Sequence, residues 1–180
     1  MDYFNENLIQ RKKTGKDVIL IIASILLGIA LSVFLLPFIF TQLIGQLVLL
    51  AIAGVWYGVY IIITRRRVEF EYIVTNNEMD VDKIVAKRKR SRLFTLNAKE
   101  IEVMAPLNDP DFLRDQQNVN IAERLDISSG NPEARRYFAV FMKDTKRTLI
   151  IFEPTRKMLG IFKRYSPQNV HIAQEDMVEV

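Results

Sequence analysis

A long stretch without any charged residue limits what this chain can fold into. From Val18 to Thr64 the sequence contains no Asp, Glu, Lys, Arg or His. As a single helix this stretch would be about 70 Å long, more than twice the thickness of a bilayer's hydrocarbon core. The first run alone, Val18 to Phe40, would be roughly 34 Å long and would span the core once. The sequence therefore predicts a transmembrane helical hairpin at residues 18–64.

Residues that favour turns divide this stretch into two helices. They are Pro37, Thr41, Gln42, Gly45 and Gln46. The second span is predicted from about Ile44 to Ile63. A cleaved signal peptide has a shorter apolar region and no second apolar run behind it, so we expect both helices to be retained.

The charges that flank the hairpin predict its orientation. Basic residues precede the first span and follow the second, whereas the connecting turn has none: Arg11, Lys12, Lys13, Lys16, Arg65, Arg66 and Arg67. Because Lys and Arg are retained on the cytoplasmic side, we expect a multi-pass cell-membrane protein with two spans and both termini in the cytoplasm.

Small residues recur at a spacing of four on both predicted spans. They are Ser24, Gly28 and Ser32 on the first span, and Gly54 and Gly58 on the second. Such stripes let helix backbones approach closely. Two interpretations follow: the two helices pack on each other, or the chain forms a homo-oligomer through the face of Gly54 and Gly58.

Residues 1–17 form a cytoplasmic N-terminal segment in which Tyr3, Phe4, Leu8 and Ile9 stand among polar residues. This composition fits either a short amphipathic element on the membrane surface or a loose polar leader.

Residues 65–167 are predicted to form a mainly β domain. Val68, Phe70, Tyr72 and Val74 alternate with other side chains, a pattern typical of a half-buried strand. The predicted strands are 68–75, 79–86, 92–96, 101–105, 119–127, 137–143 and 147–152. A helix follows Pro154, because Met158, Ile161, Phe162 and Tyr165 fall on one helical face. The tail, 168–180, could cover an exposed strand edge or engage a basic loop.

This order of elements resembles that of pleckstrin-homology-like (PH-like) domains. The two spans, the leader sequences MDYF and RKKTGKD, and the segment VEFEYIVTNNEMDVDKIVAKRKRSR resemble an uncharacterised family of small bacterial two-span membrane proteins with such a domain. The resemblance implies a barrel of about seven antiparallel strands closed by a C-terminal amphipathic helix, and it implies no established activity. A different small antiparallel barrel or sandwich is the alternative fold.

The composition argues against an enzyme. The chain has no cysteine and one histidine, His171, which excludes disulfides, thiolate chemistry and histidine metal clusters within one chain. It contains no phosphate-binding, dinucleotide-binding or hydrolase motif. We therefore predict no catalytic residue, no metal ligand and no cofactor.

A basic run is the most informative feature of the soluble part. It comprises Lys83, Lys87, Arg88, Lys89, Arg90 and Arg92, and no acidic residue lies between its ends. We expect it to dock on anionic phospholipid head groups or to be a solvated hairpin tip. Nucleic acid is an unlikely partner, since only Phe94 supplies an aromatic ring nearby. PH-like domains usually carry such residues in the first hairpin, whereas here the run lies between the second and third predicted strands. This difference argues against a specific head-group pocket.

Two functions from different classes fit these features. The first is a membrane-anchored, non-enzymatic binding or scaffolding module that contacts membrane lipids. The second is an accessory subunit of a larger membrane protein complex, whose spans and β domain bind protein partners. Docking on lipid head groups weakens with salt, whereas assembly through the small-residue faces resists it.

Overall fold

The structure, a computed structural model, describes residues 3–41, 44–118 and 120–176. The chain divides into two compact units. The helical unit comprises Lys13–Val68 and Val85–Arg88. The β unit comprises Met1–Lys12, Glu69–Ile84 and Lys89–Val180.

The helical unit contains the two predicted apolar helices, which the structure confirms. Helix α1 is Gly15–Leu35 and continues as a 3-10 helix at Leu36–Phe40, and helix α2 is Gly45–Arg65. Pro37 stands in the first turn of the 3-10 helix, where its missing N–H costs little. Gln42, predicted as part of the turn, lies outside the described residues. By length and composition, both helices are able to cross a membrane.

The apolar side chains of both helices are mostly uncovered by protein. In the most apolar stretch of each helix only 6% and 11% of the residues are buried. The core helix of a soluble protein would instead be covered on its apolar face. Exposed apolar surfaces of this kind mark sites of contact with lipid or with another protein.

The first sheet of the β unit has four strands in the order β1-β2-β3-β4. These strands are β1 Phe4–Gln10, β2 Val68–Thr75, β3 Glu78–Val85 and β4 Lys89–Asn97. On β2, the side chains of Phe70, Tyr72 and Val74 are buried, as the alternation predicted. Asn76, in the β2–β3 turn, adopts a positive φ of 54°, which asparagine tolerates.

The structure corrects the predictions for the N-terminal segment. Residues 4–10 are neither a surface element nor a loose leader, since they pair antiparallel with β2 from Phe4–Thr75 to Gln10–Glu69. Two of the three inward-facing positions hold polar residues, and the third holds Ile9. The Asn5 amide donates to Thr155 Oγ1 at 3.1 Å, and the Asn7 amide donates to the Glu153 carbonyl at 3.0 Å. Strand β1 therefore lacks the apolar alternation by which strands are recognised. The two apolar helices lie in the connection between β1 and β2.

The second sheet has the order β5-β7-β8-β6. Its strands are β5 Ile101–Pro106, β6 Glu123–Asp126, β7 Tyr137–Lys143 and β8 Lys146–Phe152. Strand β6 is shorter than the predicted 119–127, and Val119 lies outside the described residues. It also runs parallel to β8, so the prediction of an entirely antiparallel set is wrong. A short helix, α3 at Leu113–Gln116, and 3-10 turns at Ala98–Glu100, Pro110–Phe112 and Gln174–Asp176 complete the connections.

The predicted closed barrel is wrong. Over the described residues the strands form two separate sheets, because the 3-10 turn at Ala98–Glu100 ends β4 before β5 begins and no ladder joins them. The sheets contact each other through buried rings, with centroids 6.0 Å apart for Tyr72 and Phe152 and 5.4 Å apart for Phe94 and Phe141. Edge-on and tilted ring pairs of this kind stabilise a core beyond their buried area.

Helix α4, Arg156–Tyr165, follows β8. The Thr155 hydroxyl caps it by accepting from the Met158 N–H at 3.3 Å. Met158, Ile161 and Phe162 are buried, as their spacing predicted. The segment after α4 covers the outer edge of β5, since the Met104 N–H donates to the Asn169 carbonyl at 2.8 Å and the His171 N–H donates back at 2.7 Å. Residues 177–180 of the tail lie outside the described residues.

Candidate functional site

The basic run divides into two parts with different surroundings. The Arg90 guanidinium pairs with the carboxylates of Glu71 and Asp82, the latter at 2.9 Å. Arg92 pairs with Asp82 at 2.5 Å and with Asp80 at 2.7 Å. The hydrogen bond to Asp82 raises the pKa of Arg92. Because Glu71 and Asp82 are buried, these two arginines neutralise carboxylates of the sheet itself.

The other four cations of the run have no carboxylate within salt-bridge distance in the described part of the chain: Lys83, Lys87, Arg88 and Lys89. Lys83 lies within β3 and is half-buried, whereas Arg88 and Lys89 are exposed. Ala86 and Lys87 form the tip of the β3–β4 turn with positive φ values of 56° and 57°. This strained backbone is held by a hydrogen bond from the Arg88 N–H to the Val85 carbonyl at 3.1 Å.

The β3–β4 turn lies at the end of the second apolar helix. The Ala86 N–H donates to the Arg67 carbonyl at 2.8 Å. Through this bond Lys87 and Arg88 join the three arginines at the end of α2, Arg65 to Arg67. Two parts of the sequence, about twenty residues apart, therefore place their cations together.

The same end of the hairpin also carries the start of α1. The Thr14 N–H donates to the Asp17 carboxylate at 3.1 Å, and the Arg66 guanidinium lies 3.5 Å from the other oxygen of Asp17. Lys13 and Lys16 flank this helix start. We call the cations of the helical unit the basic collar: Lys13, Lys16, Arg65, Arg66, Arg67, Lys87 and Arg88.

The basic collar has a strong excess of positive charge. Asp17 is the only acidic residue in the sequence of the helical unit, against the seven cations. The opposite end of the hairpin, residues 36–44, has no charged residue.

The small residues on the helices fall into two groups. A Cβ at Gly28 would lie 3.2 Å from Val59 Cγ2, so Gly28 allows α1 to approach α2. Ser32 accepts a hydrogen bond from the Trp56 indole of α2 at 3.2 Å, while the Ser24 hydroxyl donates to the Ile21 carbonyl of its own helix.

By contrast, a Cβ at Gly54 or at Gly58 would meet nothing within 4 Å. The packing of the two helices on each other therefore uses Gly28 and not the Gly54–Gly58 face. That face is open to a neighbour outside the chain.

Sequence reasoning found the cations but not their grouping. Lys13, Lys16 and Arg65 to Arg67 served only to orient the hairpin, and Arg90 and Arg92 were counted with the lipid-facing residues. The missing information was the contact between the β3–β4 turn and the end of α2. A turn of two residues with positive φ gives no sequence signal when it is built from Ala86 and Lys87.

A comparison with protein families gives one match. Residues 1–172 match the family described as Bacterial PH-like domain (DUF6106), and the chain belongs to this family. The match includes β1, both apolar helices and the two sheets. No curated protein and no solved structure matches the chain.

Proposed function

We propose that this PH-like chain is a membrane-anchored, non-enzymatic binding and scaffolding module whose basic collar docks on anionic phospholipid head groups. The observation that carries the proposal is the hydrogen bond between Ala86 and Arg67, which brings Lys87 and Arg88 to the end of α2. Head groups lie at the ends of membrane-spanning helices, so cations there meet anionic lipid without any further movement.

The pairing of β1 with β2 supports the proposed orientation. Residues 4–10 and 69–75 form one ladder, although both apolar helices lie between them in the sequence. The two strands must then be on the same side of the membrane, which requires an even number of spans. The basic collar favours the cytoplasm as this side, because Lys and Arg are retained there.

The energy of docking is distributed over the collar. Each Lys or Arg near an anionic surface contributes about 1 kcal/mol, and this contribution falls off within a Debye length of about 8 Å at physiological salt. Loss of Lys87 and Arg88 is therefore expected to weaken docking by about 2 kcal/mol, or roughly 30-fold. Arg90 and Arg92 contribute little, because their charges are already balanced by Glu71, Asp80 and Asp82.

A fluorophore on the β unit tests this docking in the full chain. The sequence has no cysteine, so Ser91→Cys gives a single labelling position beside the collar turn. The labelled protein is placed in nanodiscs whose phosphatidylglycerol or phosphatidylcholine head groups carry a quencher. We expect stronger quenching by phosphatidylglycerol, and loss of this difference at 0.5 M salt.

The matched variants are Lys87→Ser/Arg88→Ser and, as a control, Lys99→Ser/Arg114→Ser on exposed positions of the β unit. Only the first pair is expected to reduce the preference for phosphatidylglycerol. Equal quenching by both lipids at every salt concentration would reject the docking function.

The open face of Gly54 and Gly58 favours the second candidate, an accessory subunit of a membrane protein complex or a homo-oligomer. Glycines at this spacing let another helix approach closely, and no part of the described chain occupies that space. Gly54→Leu/Gly58→Leu is expected to reduce crosslinking to neighbours in native membranes. Crosslinking that is unchanged in this variant would reject the candidate.

A further inference from the structure

The β unit has a groove that the collar does not involve. It runs along the outer face of α4 and has a volume of about 720 Å³, within the range of binding sites. One wall is the start of β1, Tyr3 to Asn5, and the other is formed by Ile172 and Asp176. Gly160 and Ile161 form the floor.

Gly160 has no structural reason to be glycine. It stands inside a ten-residue helix, where glycine costs about 1 kcal/mol relative to alanine. Its φ is not positive, and a Cβ built there would meet nothing within 4 Å. Neither backbone conformation nor internal packing requires the missing side chain. The glycine leaves the groove open at this point of the helix.

Four cations surround the groove without a carboxylate partner among the described residues: Arg156, Lys157, Lys163 and Arg164. Arg156 donates to the Glu175 carbonyl at 3.1 Å, and Arg164 donates to the Tyr3 hydroxyl and lies 5.3 Å from the centre of its ring. Lys163 donates to two carbonyls beyond the helix end. Most of this positive charge remains available to a ligand.

Among the described residues a single carboxylate lines the groove, and it is already engaged. Asp176 is 3% exposed, accepts from the Tyr137 hydroxyl at 2.6 Å, and pairs with Arg135 at 2.5 Å. It therefore does not balance the four cations of α4. The groove is complementary to an acidic ligand.

The free edge of β1 adds a second recognition feature. The Asn76 N–H donates to the Tyr3 carbonyl, so the backbone groups of the odd-numbered residues of β1 bond to β2. The N–H of an even-numbered residue beyond the strand, Lys12, points away from β2 and donates to the Ser129 carbonyl. The backbone groups of Phe4, Glu6 and Leu8 consequently point away from β2. They have no strand partner in the described structure, where β1 is an edge strand.

We propose that the groove and the free edge of β1 bind an extended acidic peptide segment of a partner protein. Its backbone would pair with β1, its apolar side chains would lie against Phe4 and the groove floor, and its carboxylates would meet Arg156, Lys157 and Arg164. A polypeptide fits better than a lipid, because only a backbone supplies alternating donors and acceptors for a strand edge. An acyl chain in this open groove would also remain partly in water.

The test uses the full chain in phosphatidylcholine nanodiscs, which keeps the collar without anionic lipid. The probe is a fluorescein-labelled twelve-residue peptide that alternates Glu and Val. Its binding is measured by fluorescence anisotropy. Two comparison peptides replace Glu by Lys, or carry N-methyl groups on every second amide. We expect the first peptide to bind, and both comparison peptides to bind at least about tenfold more weakly.

Two variants locate the binding site. Arg156→Ser/Lys157→Ser/Arg164→Ser removes the cations, and its control, Lys99→Ser/Arg114→Ser/Lys146→Ser, removes the same charge elsewhere. Gly160→Leu fills the groove and improves helix propensity, so it is expected to raise the melting temperature while reducing binding about tenfold. Thermal melting of each variant verifies that it is folded.

Three results would overturn the proposal. One is equal binding of the N-methylated peptide, because strand addition would then play no part. Another is undiminished binding to the folded Gly160→Leu variant. The third is a combined result, in which myristate at equal concentration displaces the peptide and the N-methylated peptide keeps its affinity. The groove would then be a site for an anionic amphiphile.

Discussion

Replacing the two pairs of cations in the β3–β4 hairpin is expected to change different properties. Loss of Arg90 and Arg92 should lower the stability of the sheet, and loss of Lys87 and Arg88 should weaken docking on lipid. Arg90→Ser/Arg92→Ser removes the partners of Glu71 and Asp82, which are 7% and 4% exposed. Breaking a buried ion pair from one side costs about 3–5 kcal/mol. Because the two arginine side chains are about half exposed, at 51% and 48%, solvent screening reduces this cost, and we expect about 2–3 kcal/mol.

Hydrogen exchange of β2 and β3 amides, followed by mass spectrometry of the full chain in phosphatidylcholine nanodiscs, measures this loss. Opening of the sheet is expected to become roughly 30- to 150-fold more frequent. Quenching of the fluorophore by anionic lipid is expected to remain, since most molecules are still folded. Lys87→Ser/Arg88→Ser carries the same change in charge and is the control.

The control pair is expected to show normal protection and reduced quenching. The reasoning would be refuted if both pairs changed hydrogen exchange equally, because the cations would then be interchangeable. It would also be refuted if Arg90→Ser/Arg92→Ser abolished quenching while protection stayed normal.

Three further outcomes are expected. Tyr137→Phe should lower the free energy of unfolding by about 1–3 kcal/mol, measured by denaturant titration, because the buried carboxylate of Asp176 loses its donor. Burial raises the pKa of Tyr72 and of Tyr137 above the ordinary value of about 10. Their contribution to stability is then complete below pH 10 and declines above it by up to about 1.4 kcal/mol per pH unit per tyrosine, and Tyr72→Phe should reduce this slope. Gly28→Leu should separate the two apolar helices and abolish disulfide crosslinking between engineered cysteines on α1 and α2, whereas Gly54→Leu should leave that crosslink intact.

The sequence predicted those elements whose partners are near in the chain. The apolar helices, strand β2 and the buried face of α4 follow from periodicity alone, because burial of their apolar side chains decides their structure. Strand β6 was predicted too long, since it carries only four residues and pairs parallel with β8. A parallel pairing depends on a crossover that local patterns do not reveal.

Strand β1 and the basic collar were missed for a related reason. Strand β1 is separated by 57 residues from the strand with which it pairs, and Asn5 and Asn7 occupy two of its three inward positions. The collar depends on a backbone hydrogen bond between Ala86 and Arg67, which no spacing in the sequence indicates. The groove over α4 corresponds to one feature of the sequence, which is Gly160 inside an otherwise regular amphipathic helix.

The position of the apolar helices between β1 and β2 sets an order of events during synthesis. Strand β1 is synthesised before β2, so under the proposed two-span topology the first sheet is completed only after both apolar helices have been made and β2 has followed them. Four of its seven side chains are polar, which favours the solubility of the waiting strand: Asn5, Glu6, Asn7 and Gln10. A chain that inserted only one helix would leave β1 and β2 on opposite sides of the bilayer. The edge of β2 would then stay open, and the misinserted molecule would be marked by an unfinished sheet that proteases and chaperones recognise.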